Sequence, residues 1–102
     1  MHLVQLLLPT HHNDGTPVPA AEFAAVRLEL TDRFGGVTAY TRAPASGLWK
    51  NPDDNLEHDQ VIMVEVVVEG FDRDWWGKYR AALELRFGQE VLHARALAME
   101  QI

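Results

Sequence analysis

The chain has no cysteine at all. A disulfide framework and thiol chemistry are therefore both excluded, and the redox compartment is left open. Basic residues are scarce, 9 against 15 acidic, for a net charge of −6, and they are nowhere clustered. Binding nucleic acid by counterion release needs clustered Lys and Arg, so no nucleic-acid partner is expected. Long hydrophobic runs are missing as well. The N-terminal MHLVQLLLP is too short for a membrane span, and it has neither a basic leader nor a small-residue cleavage site. It reads as a first strand, and the expectation is a cytoplasmic protein without a membrane contact. The sequence also contains no Gly-rich phosphate loop, no GxSxG and no HExxH. Nucleotide binding and serine or zinc hydrolysis thus have no motif to rest on.

What is present is a chain of 102 residues, 47% apolar, with three tryptophans. That length suits one domain with its own core. Residues 2–8 are the first strand, closed by Pro9. THHNDGTPVP (10–19) is a loop of turn formers whose prolines suit a helix entry. The helix over 20–34 follows, with Phe23, Val26, Arg27, Leu30 and Phe34 at the spacing of one buried stripe. Gly35 and Gly36 end it. VTAYTR (37–42) is a second strand, and PASGLWKNPDDNLEH (44–58) reads as a long polar loop. QVIMVEVVVEG (60–70) is a third strand. A second helix starts at the N-cap Asp72 and carries the stripe Trp76, Tyr79, Leu83 and Phe87, until Gly88 stops it. VLHARALAM (91–99) is the last strand.

The order is βαββαβ, and it repeats. LTDRFGGVTAYTRA (30–43) aligns without gaps to LELRFGQEVLHARA (83–96), matching at Leu, Arg, Phe, Gly, Arg and Ala. Two similar βαβ halves predict an α+β ferredoxin-like sandwich, a four-stranded antiparallel sheet with two helices on one face. At the level of architecture the whole chain resembles the small ferredoxin-like domains that pair as dimeric α/β barrels. Many of those are uncharacterised; others are cofactor-independent oxygenases, isomerases or haem-degrading enzymes. No subfamily signature is present, so the resemblance transfers no catalytic residue.

Strand alternation sorts the two sheet faces. Val4, Leu6 and Leu8, then Ile62, Val64, Val66 and Val68, then Leu92, Ala94, Ala96 and Ala98 belong under the helices. The open face keeps Leu3, Leu7, Met63, Val67, Leu97 and Met99, interrupted by Gln5, Tyr40, Arg42, Glu65, His93 and Arg95. An apolar patch of this kind is seldom bare on a monomer, so a homodimer with two-fold contacts through this face is expected.

The interruptions are the candidate site. Glu65 offers a carboxylate base and His93 a proton carrier near neutral pH, and these two are the catalytic candidates. Arg42 and Arg95 would hold an anionic small molecule, with Tyr40 and Gln5 beside them. Trp49 would cover the face as a lid or anchor the dimer. In the usual strand order, the third and fourth strands flank the first, about 9–10 Å apart laterally. Glu65 and His93 then cannot share a metal, and either Gln5 or a substrate must lie between them.

The competing reading is an interaction module whose open face makes only interface salt bridges. A third is a haem- or oxygen-linked barrel enzyme, for which His93 alone could ligate iron. Neither a metal nor a cofactor is expected. His11, His12, Asn13 and Asp14 read as a solvated loop, because adjacent histidines in extended chain point apart. The Asp53, Asn55, Glu57 alternation lacks the central glycine and distal glutamate of a calcium loop.

Overall fold

A computed structural model of the protein describes residues 1–50 and 56–102. Within the strands, the side chains of residues 42–45, 47, 49 and 56–59 lie outside the described set.

The elements are β1 (His2–Pro9), α1 (Ala20–Phe34), β2 (Thr38–Lys50), β3 (Leu56–Val68), α2 (Arg73–Arg86) and β4 (Ala94–Ala98). The sheet is antiparallel in the order β2-β3-β1-β4, which is the expected α+β ferredoxin-like arrangement.

Local chemistry sets the helix ends. Pro19 precedes α1, and Gly35 closes it in the left-handed region at φ 85°, its N–H donating to the Thr31 carbonyl at 2.8 Å. At the start of α2 the Asp72 carboxylate accepts from the Trp75 N–H at 3.0 Å. Each helix carries its arginine, Arg33 or Arg86, in the last turn, where the dipole favours a cation.

The core lies between the helices and one sheet face. Val4, Leu6 and Leu8 of β1 meet Val64, Val66 and Val68 of β3, all buried, as are Val26 and Leu30 of α1 and Leu83 of α2. Leu92 and Phe87 are buried with them, while Ala94 and Ala96 pack against this cluster from β4. The alternation read from sequence therefore holds for these residues of β1 and β3 and for Leu92, Ala94 and Ala96, whereas Ala98, expected under the helices, is exposed at the end of β4. Phe34 stacks on Trp76 with ring centroids 5.1 Å apart, and Trp75 stacks on Tyr79 at 5.0 Å, so both tryptophans serve packing. On the outer helix surface Glu29 of α1 accepts from Tyr79 at 2.7 Å and from Arg86 at 2.8 Å, tying the two helices together.

Two boundaries differ from expectation. The polar stretch 44–58 is not one long loop: β2 runs on to Lys50 and β3 begins at Leu56. Pairing slips between Tyr40 and Ala45, then continues from Ala45 opposite Val61 to Lys50 opposite Leu56. β1 stops at Pro9 opposite Val61, so this hairpin end has no further strand beside it. An edge strand interrupted by a bulge accommodates Pro44, which a central strand would not. The last strand, in turn, is shorter than 91–99, although the Leu7 N–H still donates to the His93 carbonyl at 2.9 Å.

Candidate functional site

The open sheet face is laid out in rows set by register. Leu97, Leu3 and Val67 are mutual partners across β4, β1 and β3 and form an apolar row. Next along comes a polar row, Arg95, Gln5 and Glu65. Beyond it lie Leu7, Met63 and Tyr40, again in register.

The polar row is hydrogen-bonded from end to end. Arg95 Nε donates to Gln5 Oε1 at 2.6 Å. Gln5 Nε2 donates to Glu65 Oε2 at 2.7 Å. The Tyr40 hydroxyl, reaching in diagonally from β2, donates to Glu65 Oε1 at 2.6 Å. The line crosses all four strands. Each oxygen of Glu65 has its own donor, and these bonds hold the carboxyl below its ordinary 4.5, Tyr40 contributing most and Gln5 next, against the upward push of burial. The same bond and the charge of Glu65 raise the Tyr40 phenol above 10.0.

This geometry answers why a glutamate interrupts a valine strand. Glu65 stands opposite Gln5 on the face away from the core, while its neighbours Val64 and Val66 are buried. Gln5 fills the gap that strand spacing imposes between β3 and β4, and the direction of its amide is set by a donor on one side and an acceptor on the other. The two terminal NH2 groups of Arg95 make no hydrogen bond among the described residues.

The remaining candidates are placed differently. His93 precedes β4 and is exposed, with its backbone against Leu7 of β1 and not against β3. Arg42 and Trp49 belong to β2, Trp49 opposite Glu57, but their side chains lie outside the described residues. Trp49 is thus in a strand, not in the polar loop expected for it. The histidine loop is occupied by local bonds. His12 Nδ1 donates to the Phe87 carbonyl at 3.0 Å, and Asp14 accepts from the Thr16 N–H at 2.9 Å and its hydroxyl at 2.6 Å. The calcium-like Asp53 and Asn55 lie outside the described residues.

Around the polar row the face is apolar and uncovered: Tyr40 is 50% exposed, Leu97 46% and Val67 44%. A cavity of about 400 Å³ is present; of the candidate residues Arg95 lines it, while Glu65 and His93 do not. It lies on the helix side of the sheet, between α2 and β4, where Gly77 faces Ala94 and Ala96. The sequence reading missed this groove. Its one signal was a glycine inside a helix, where glycine is disfavoured. No helix among the described residues is long and apolar enough to cross a membrane.

No protein-family model matches the chain, and no curated protein matches it. Among solved structures, a phage SAM lyase in complex with S-methyl-5′-thioadenosine is similar, with a TM-score of 0.65 at 14% identity, over 94% of this chain and 79% of that one. A phage SAM lyase in the apo state is similar with a TM-score of 0.56 at 11% identity, over 99% of this chain and 91% of that one. At such identities the likeness is one of fold alone.

Proposed function

We propose that the open sheet face is a small-molecule site, binding or catalytic, completed by a second copy of the chain that covers it. The observation that carries this reading is the polar line from Arg95 through Gln5 and Glu65 to Tyr40, enclosed between two apolar rows. A line of polar groups with one cation and one anion on an apolar surface is a specific arrangement, since such pockets are mostly apolar with a few placed polar groups. The flat face becomes a pocket only when something stands over it. The exposed Val67, Leu97 and Tyr40 are the surface a partner copy would cover.

The ligand class follows from the two ends of the line. Arg95 presents its unused NH2 groups to a carboxylate, the anionic group such a ligand would carry. Glu65, with its carboxyl held ionised, is a weak base and a stable anion, suited to facing a positive centre. The apolar rows accept a flat ring. SAM combines these features: an amino-acid carboxylate, a sulfonium and a purine. The similar fold of a SAM lyase that binds S-methyl-5′-thioadenosine supports this class. Should the site be catalytic, water attacks the carbon bound to the sulfonium, and the carbon–sulfur bond breaks with its pair going to sulfur. A neutral thioether and an alcohol are left, and the proton of that water passes to a base, for which His93 is proposed.

Titration calorimetry with SAM and with S-methyl-5′-thioadenosine tests the reading. Both should bind the wild type. Glu65→Gln should weaken SAM roughly tenfold, the value of one charge interaction, and the uncharged thioether much less. Equal affinities in wild type and Glu65→Gln, or no binding of either compound, would rule the reading out. Chromatography after incubation with SAM decides between binding and turnover. Light scattering decides the assembly, with twice the 11.5 kDa chain mass expected.

A further inference from the structure

We propose that the groove between α2 and β4 is a second binding site, sharing only Arg95 with the polar row of the open face, for a small flat ring bearing a phosphate or carboxylate. The groove measures about 400 Å³, within the range of small-ligand sites. Its walls are built to leave room. On α2, Arg73, Gly77 and Arg80 fall at i, i+4 and i+7, one face of the helix, and all three line the groove. Gly77 is in the helix interior, at a cost of about 1 kcal/mol against alanine. No packing constraint calls for it, because a Cβ there would meet nothing within 4 Å. Ala94 and Ala96 keep the facing strand equally low, and β4 ends the sheet, so the groove opens at a free edge.

The lining is also selective in charge. The chain carries net −6, yet no carboxylate lines this groove, and three arginines do: Arg73, Arg80 and, at the edge shared with the open face, Arg95. Arg80 has no ion pair or hydrogen bond among the described residues. Arg73 lies 5.5 Å from the Phe71 ring, which holds it over an aromatic wall. That wall continues through His2, whose ring is 5.5 Å from Phe71, and the buried Trp76. His2 Nδ1 is the one buried side-chain nitrogen or oxygen among the described residues that lacks a hydrogen-bond partner. An unmet polar atom, an aromatic wall and three cations around a gap specify a ring with an anionic substituent.

Phenyl phosphate, followed by two-dimensional amide and indole NMR, is the direct probe. Saturable shifts are expected at Gly77, Ala94, Ala96 and the Trp76 indole. Arg80→Gln should weaken binding roughly tenfold, as loss of one charge-assisted hydrogen bond does. Gly77→Leu should abolish it by filling the groove, with the spectrum of a folded chain retained. Gly77→Ala provides a milder variant in the event that leucine unfolds the helix, and weaker binding is expected of it too. The proposal is overturned if the shifts map to Gln5, Tyr40 and Glu65 instead, if they never saturate, if the Gly77 variants bind like the wild type, or if benzyl alcohol binds as tightly as phenyl phosphate.

Discussion

Gln5 and Glu65 stand directly opposite each other on β1 and β3, and their side chains are joined at 2.7 Å on the face turned away from the core. The bond fixes the carboxylate of β3 from one side while Tyr40 fixes it from the other. Replacing either donor should release Glu65. Tyr40→Phe, which removes the larger influence, should raise its carboxyl toward 4.5. Gln5→Leu should do the same to a smaller extent. Carbon-detected NMR titration of the Glu65 carboxyl measures both, and an unchanged midpoint in Tyr40→Phe would contradict the assigned bond.

The pH dependence of stability follows from the same carboxyl and from Glu29. Burial pushes Glu29 up, but hydrogen bonds from Arg86 and Tyr79 outweigh it and leave the carboxyl below 4.5. A group depressed in the folded state adds stability that is complete above its unfolded value and is lost as pH falls through the folded one. The chain should therefore hold constant stability from neutral pH to about 5 and lose it below about 4.5 as both carboxyls take up protons. Denaturant melts across this range check the sign. In the double variant Glu29→Gln, Glu65→Gln the loss should be shallower.

Two glycines should respond to alanine with opposite signs. Gly35 sits at φ 85°, so Gly35→Ala should destabilise by about 1 kcal/mol through backbone strain alone, there being nothing within 4 Å to clash. Gly77 is in the interior of α2 with equal room, so Gly77→Ala should stabilise by roughly 0.8–1 kcal/mol from helix propensity. Thermal melts of the two variants should move in opposite directions.

Core truncation should be costly at Leu30, which is 0% exposed on α1 among β-sheet valines. Leu30→Ala should destabilise by about 2–5 kcal/mol, transfer and cavity contributions together. Val67→Ala, on the open face and 44% exposed, should change the isolated chain little. A large dependence of the Val67→Ala effect on protein concentration is the expected sign of a covered face.

Much of this architecture was legible in residue order because local signals and alternation agree. Pro19 and Gly35 bound α1, and the apolar sets of β1 and β3 separate into buried and open faces, except that Val61, on the open face by alternation, is buried. That Gln5 can bridge the gap of about 9–10 Å between β3 and β4 also followed from strand spacing, but its expected neighbour on β4 was His93, where register puts Arg95. The hairpin end of β2 and β3 did not. Pro44, Gly47 and NPDD are turn formers by composition, and only pairing with each other makes their flanks strands. The groove by α2 was likewise hidden. It depends on how far a helix stands from a strand edge, which no periodicity encodes, and Gly77 alone hinted at it.

A crystal structure of the protein with S-methyl-5′-thioadenosine bears most directly on the open-face site. The account predicts ligand density against the row of Arg95, Gln5, Glu65 and Tyr40, with a second copy of the chain closing over it. Density elsewhere, or that row left facing solvent in a monomer with the ligand absent, would contradict it.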